Sequence, residues 1–167
     1  MTHRLLIILL AIGALFAMTA CDDPAFEVET PSAMIELHTP DDASFVAMTA
    51  DGVVVRARAI RQGDDDDPLA ESPRAEHDFW VDAIRQRMRT RAGYALLDEV
   101  DVQCAGGTDG TRLEFGRDHE ETPYVYWLTL YVTDDTVHVI EAGGRQDRFD
   151  DAREAVEMTL DSYRVLR

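Results

Sequence analysis

The sequence predicts an α+β domain: a three-layer α/β/α sandwich in which a mainly antiparallel sheet of six or seven strands carries one helix on each face. Two observations support this prediction. First, the chain is expected to form three strands, a helix, four strands and a second helix, and both helices are amphipathic. Second, the segment 124–132 is apolar at both strand parities, as expected of a strand covered on both faces. Two amphipathic helices can cover such a sheet with one helix on each face.

Three short strands are expected before the first helix. The segments 34–37 and 44–49 have strand character and are separated by the turn-rich segment 38–42. The sequence Ala-Asp-Gly at 50–52 is typical of a hairpin turn. It leads into a third strand at 53–60, which is rich in β-branched residues and alanine.

The first helix is predicted from its start signal and its apolar spacing. A serine followed by a proline at 72–73 suits the N-cap and first helical positions. The helix is expected to cover 73–92, and Gly93 is expected to end it. Its apolar stripe repeats every four residues, at Trp80, Ile84 and Met88.

The second half of the chain is predicted to be a meander closed by a helix. Four strands are expected, at 94–103, 111–117, 124–132 and 137–142. The pair Gly143-Gly144 is expected to end the last strand. A second amphipathic helix is predicted at 148–163. Its apolar stripe consists of Phe149, Ala152, Val156, Leu160 and Tyr163.

This order of elements resembles the PsbP-like superfamily of α/β/α sandwiches. The likeness also includes Gly93-Tyr94 after the first helix and Leu160-Asp161-Ser162-Tyr163 at the end of the closing helix. It implies a single globular domain over residues 34–167. It also implies a binding or accessory role, because members of this superfamily are generally not enzymes. No functional residues are implied, since the superfamily has no shared site.

The segment 1–20 resembles the signal peptide of a bacterial lipoprotein. A basic start is followed by the uncharged apolar run 5–17 and then by small residues directly before Cys21. The run is shorter than the roughly twenty residues of a membrane-spanning helix. The resemblance implies cleavage before Cys21, lipidation of its sulfur, and a tether over 21–33. A simple secretory peptide cleaved after Ala20 is the alternative. We therefore expect a protein of the bacterial cell envelope, lipid-anchored to the inner or the outer membrane.

The charge of the chain excludes some classes of partner. Its 33 acidic residues outnumber 16 basic ones, which gives a net charge of −17. Such a charge argues against binding to nucleic acid and against direct adsorption to anionic lipid headgroups. All basic residues are arginines, as expected from a GC-rich genome, so the arginines at 85–91 are given no functional weight.

The residue types needed for catalysis do not form a recognisable pattern. The chain has no Gly-x-Ser-x-Gly turn, and its serines fall at predicted turns or at the ends of elements. Cys104 could pair with His138, but it shares strand parity with Val100 and Val102 and is predicted to be a buried structural thiol. We therefore predict a protein that is not an enzyme and needs no cofactor.

Candidate metal ligands also lack a known pattern. Neither His77-Asp78 nor His119-Glu120-Glu121 has the spacing of a zinc site. The acidic run 64–67 lacks the alternating aspartates, central glycine and distal glutamate of a calcium loop, and is interpreted as a solvated charge run. No metal site is predicted, although weak binding of divalent cations by this run stays open.

The best candidate for a recognition surface is the aromatic group on the strand 124–132: Tyr124, Tyr126, Trp127 and Tyr131. Aromatic residues are enriched at interfaces, but on a central strand they are more often part of the core. The leading hypothesis is a non-catalytic binding or accessory module for an unidentified envelope protein. The alternative is a lipoprotein that binds a small ligand or a divalent cation, through the acidic run or a cleft beside Trp127.

Overall fold

The computed structural model describes residues 24–38, 44–62 and 76–166. Within these residues the chain forms two helices and nine strands. In chain order they are β1 (Phe26–Glu27), β2 (Ile35–Glu36), β3 (Ser44–Met48), β4 (Val54–Arg61), α1 (His77–Thr90), β5 (Ala95–Gln103), β6 (Asp109–His119), β7 (Thr122–Val132), β8 (Thr136–Arg145), α2 (Gln146–Ser162) and β9 (Arg164–Val165).

Seven of these strands form one sheet in the order β2-β3-β4-β8-β7-β6-β5. Every neighbouring pair is antiparallel. The described part of the chain therefore confirms an α+β fold with two helices and a seven-stranded antiparallel sheet. The strands β1 and β9 form a separate antiparallel pair.

The central strand β7 packs against a different helix with each of its parities. Trp127 lies in a buried cluster with Phe149 of α2. Its neighbour Leu128 lies in a second buried cluster, with Trp80 of α1. Successive side chains of a strand point to opposite faces, so the two apolar parities of β7 are buried by different helices. The pattern of a strand buried on both faces is confirmed for β7.

The two helices are offset across the sheet. Helix α1 packs over β5, β6 and β7, whereas α2 packs over β7 and β8. The cluster of α2 also contains Phe45 of β3 and Val55 of β4. On the α1 face, β2, β3 and β4 therefore lie beside α1 and not beneath it. On the α2 face, β5 and β6 lie beside α2.

Helix α1 ends two residues before the predicted last residue, 92. Its last residue is Thr90, and the N–H of Arg91 still donates to the carbonyl of Arg87, at 2.9 Å. Gly93 has a φ of 70°, a left-handed conformation that glycine adopts without steric cost. This turn directs the chain into β5. The predicted start at 73 is wrong, because Glu76 is an extended N-cap and the helix begins at His77; Ser72 and Pro73 themselves lie outside the described residues.

The prediction that Gly143-Gly144 ends a strand is wrong, because β8 continues through both glycines to Arg145. A Cβ atom at Gly143 would lie 2.8 Å from Cδ2 of Tyr126, and one at Gly144 would lie 3.1 Å from Cγ2 of Val53. The glycines therefore allow neighbouring side chains to approach the backbone closely, and they do not break the strand. Helix α2 follows directly, two residues earlier than predicted.

The tether prediction is wrong from residue 25 onward. The N–H of Leu166 donates to the carbonyl of Ala25 at 2.9 Å, and Phe26 pairs with Val165 in the β1–β9 sheet. The ring of Phe26 stacks on Tyr163, with centroids 5.1 Å apart. Strands of two residues carry no detectable periodicity, which is why β1 and β9 were not predicted.

Candidate functional site

Two members of the predicted aromatic surface are core residues. Trp127 and Tyr131 are buried on the α2 side of the sheet. The ring of Trp127 lies edge-on to Phe149 at 4.9 Å, and Tyr131 stacks on Tyr163 at 5.7 Å. They cannot form an exposed recognition surface, and this part of the aromatic group is corrected to core. The packing of α2 over β7 and β8 explains the burial.

The other two tyrosines are half-buried and lie on the α1 side. Tyr124 is next to His119, with ring centroids 6.5 Å apart. Tyr126 packs against Tyr94 at 5.6 Å, and it lines the same small notch as Glu141. Burial raises the pKa of Tyr126 well above its usual value, and the negative Glu141 adds to this effect. Tyr126 is therefore neutral at pH 7.

Tyr126 and Glu141 form part of a small notch of about 140 Å³ in the α1 face. Gly143 also lines it, and it is completed by Val54 and Arg56 of β4. In the sheet register Val54 is opposite Gly143, and Gly143 is opposite Tyr126. The notch therefore lies between the part of the sheet that α1 covers and the part formed by β2, β3 and β4.

On the α1 face, β2, β3 and β4 present a surface that we call the open half-sheet. Ile35 is 66% exposed and Leu37 is 41% exposed. In the register, Ile35 is opposite Met48 and Met48 is opposite Val54. The surface comprises Ile35, Leu37, Val46, Met48, Val54, Arg56 and Arg58.

The open half-sheet is unusual because most of its outward positions are apolar. In β3 and β4 the opposite parity, represented by Ala47 and Val55, is fully buried beneath α2. A sheet with one solvated face normally alternates apolar and polar residues. Here Val46, Met48 and Val54 occupy the solvated parity and are half-buried. A contiguous apolar surface of this kind marks an interaction site more often than plain solvent-exposed sheet.

Two arginines lie within this apolar surface. Arg56 and Arg58 are exposed and follow each other on the outward parity of β4. Arg56 is opposite Glu141 in the register, and both residues line the notch. Within the described residues, neither guanidinium forms an ion pair with a carboxylate. On a chain with a net charge of −17, this is a local cationic patch.

The α2 face of β5 and β6 differs, because its polar groups are paired. Nε of Arg112 lies 2.9 Å from a carboxylate oxygen of Glu114. The guanidinium of Arg112 also lies over the Trp127 ring, 4.3 Å from its centroid, and Arg153 approaches the same ring at 5.1 Å. Val102 packs against the core cluster. The charged groups of this surface thus have partners within the protein, so the open half-sheet is the better candidate for binding.

The buried titratable groups are bonded to one another in the core. Nδ1 of His138 lies 2.8 Å from the hydroxyl of Tyr163, and burial lowers the pKa of His138 to about 4. Cys104 is buried, as predicted. Burial raises the pKa of its thiol, but hydrogen bonds with the backbone of Val165 and with Thr108 outweigh that effect and lower the pKa overall. The partner of His138 is thus a tyrosine hydroxyl, not the thiol of Cys104.

The histidines considered as metal ligands have other surroundings. Nε2 of His77 is 2.9 Å from the hydroxyl oxygen of Thr111, and His119 is an exposed residue at the end of β6. In the part of the chain that the structure describes, no three His, Cys, Asp or Glu side chains are grouped so as to hold a metal ion. The acidic run 64–67 and Cys21 lie outside the described residues.

No protein-family model and no curated protein matches this chain. Solved structures do match. The crystal structure of LpqN, involved in cell envelope biogenesis of Mycobacterium tuberculosis, is 14% identical, with 88% of each chain covered and a TM-score of 0.60. A protein from Bacteroides thetaiotaomicron VPI-5482 is 16% identical over 87% of this chain, with a TM-score of 0.50. This chain covers 47% of the Bacteroides protein, about half of its length.

A further match is the solution structure of PsbP from the cyanobacterium Synechocystis sp. PCC 6803, which is 11% identical over 92% of this chain and 100% of that chain, with a TM-score of 0.49. Identities this low show a fold and not a family or a function. Membership of the PsbP-like superfamily stays a prediction. Among the described residues, neither helix has the length and apolar character needed to cross a membrane.

Proposed function

We propose that this protein is a lipid-anchored accessory module of the bacterial cell envelope, which binds a protein partner through the open half-sheet and catalyses no reaction. The observation that carries the proposal is the apolar surface formed by the outward residues of β2 and β3 and by Val54 of β4, with Ile35 and Leu37 exposed. Burying apolar side chains against a partner removes them from water, which favours association. The proposed fold is a three-layer sandwich whose offset helices leave this part of one face for the partner.

The envelope location rests on the leader and on one structural neighbour. Cys21 follows small residues and an apolar run, as in a lipoprotein leader. LpqN, which has a similar fold, is described as involved in cell envelope biogenesis. Because Ala25 is hydrogen-bonded to Leu166, four residue steps separate Cys21 from the packed body. At about 3.3 Å per residue they span about 13 Å, so a lipidated chain would hold the domain close to the bilayer.

A pull-down tests the binding surface. The full-length protein is expressed in its bacterium, membranes are solubilised in mild detergent, and co-purified proteins are quantified. Ile35→Asp with Leu37→Asp should reduce recovery of the partner at least tenfold. Leu97→Asp is the matched control, because Leu97 is 64% exposed on β5, outside the open half-sheet. It should leave recovery unchanged.

The double variant should unfold at the same temperature as the wild type, because both side chains are solvent-exposed in the free protein. Equal recovery of the partner by the double variant would contradict the proposal. So would repeated failure of the wild-type protein to retain any partner.

A further inference from the structure

The geometry points to a partner that presents an acidic and partly apolar extended segment to the open half-sheet, with carboxylates paired to Arg56 and Arg58. This inference rests on the proposed function and specifies the chemistry of the partner. Its basis is the pair of exposed arginines, which carry no ion pair with any described residue. A guanidinium binds a carboxylate in a planar, two-pronged geometry that fixes both position and orientation.

The spacing of the two arginines favours an extended segment. They occupy alternate positions of β4, so their Cα atoms are separated by about 6.6 Å along the strand. Alternate side chains of an extended peptide have the same spacing and also share one face. A segment with acidic residues at positions i and i+2 therefore matches both guanidinium groups at once. A helical segment would space its facing residues three or four positions apart.

The apolar part of the surface lies beside the arginines. Val54, Met48 and Ile35 form one row across the three strands. Arg56 and Val46 belong to the next row, and Leu37 extends it, because the N–H of Leu37 donates to the carbonyl of Val46. The notch beside Arg56 has room for one small side chain of the partner. Glu141, the acidic residue of the notch, forms no ion pair with Arg56 among the described residues. Apolar contacts would supply affinity, and the arginines would set register and exclude basic partners.

A protein segment fits better than an anionic membrane surface, because the first described residues and the open half-sheet lie on opposite sides of the sheet. Phe26, close to the anchor, stacks on Tyr163, and both pack in the α2 cluster. The open half-sheet belongs to the α1 face. The stretch from Cys21 to Ala25 spans only about 13 Å when extended. A lipid anchor at Cys21 would therefore not let the α1 face lie flat on the bilayer. The net charge of −17 also disfavours such contact.

A site-specific photocrosslink identifies the chemistry of the partner. The full-length chain carries p-benzoylphenylalanine at position 37, and irradiation of living cells is followed by mass spectrometry of the crosslinked peptide. We expect a peptide of another protein with net negative charge and at least one acidic pair at i and i+2. Arg56→Glu with Arg58→Glu should reduce this adduct at least tenfold. Arg87→Glu with Arg89→Glu, an equal charge change on exposed positions of α1, should leave it unchanged.

The outcomes separate this inference from the proposed function. An adduct with a neutral or basic peptide of another protein would overturn the acidic segment and leave the proposed function standing. An adduct with lipid or with a second copy of the chain would also overturn it. Equal loss of the adduct in both charge variants would show an effect of net charge alone, which contradicts pairing at Arg56 and Arg58. Absence of any protein adduct with the wild-type arginines would count against the proposed function itself.

Discussion

His138 is a polar residue that the core retains through a single partner. It lies on β8 opposite Tyr131, it is only 1% exposed, and its Nδ1 is 2.8 Å from the hydroxyl of Tyr163. Burial lowers the pKa of His138 to about 4, a shift that the more distant Asp135 opposes only weakly. The imidazole is therefore neutral at pH 7. Protonation would place an unpaired charge in the core.

This arrangement predicts that the protein loses stability on acidification. The unfolded chain protonates His138 near pH 6.5 and the folded protein near pH 4. Between these values the unfolded state binds more protons, so the free energy of unfolding falls as the pH falls, by about 3 kcal/mol in total. Urea unfolding between pH 7 and pH 4 measures this loss. Because carboxylates titrate in the same range, the comparison is with His138→Gln, whose slope should be smaller. Equal slopes would contradict the prediction.

At the scale of elements, periodicity predicted the strands and helices that are long enough to show it. The strand β7 is an example, because its two apolar parities are both buried. Because both parities of β7 are apolar, the sequence did not show which of its aromatic residues are in the core and which are half-buried. An apolar parity does not reveal how far a helix extends over it, so Trp127 and Tyr126 could not be distinguished from the sequence. The open half-sheet was missed for this reason too, since it results from the lateral offset of α1.

The N-terminal segment was misassigned because its order depends on a distant partner. Phe26 and Val28 pack against the core, and the N–H of Glu29 donates to the hydroxyl of Ser162 at 2.9 Å. The hydrogen bond of Glu29 with Ser162 and the pairing of Phe26 with Val165 join residues more than a hundred positions apart. In the sequence the segment is short, acidic and without periodicity, which is typical of a tether. Tertiary pairing with β9 overrides that local character.

The contribution of β1 to the stability of the protein can be measured by truncation. A chain starting at residue 24 keeps β1, whereas a chain starting at residue 34 lacks it. The shorter chain should be less stable by about 3 kcal/mol, because it loses a packed phenylalanine and the pairing with β9. Thermal and urea unfolding of the two chains measure the difference, and Phe26→Ala in the longer chain should reproduce most of it. Equal stability of the two chains would show that the segment is a tether after all.

At the scale of the molecule, the two ends of the described chain and the proposed docking surface lie on opposite sides of the sheet. The strands β1 and β9 bring both ends of the described chain together on the α2 side, while the open half-sheet belongs to the α1 side. Charge follows the same division. Helix α2 carries six acidic residues and two arginines, and the open half-sheet carries Arg56 and Arg58. A molecule of this kind can be held at a membrane by one face and present the other to a partner.

Attachment to a membrane depends on lipidation of Cys21, which can be tested directly. Cells grown with labelled palmitate should incorporate the label into the wild-type protein, which should sediment with membranes. Each buried methylene contributes about 0.8 kcal/mol, so two acyl chains suffice for stable anchoring. Cys21→Ala should lose both the label and the sedimentation. Cys104→Ala should retain both, because Cys104 is buried in the folded body. Label on the Cys21→Ala protein, or an unlabelled wild-type protein that still sediments, would contradict anchoring through this cysteine.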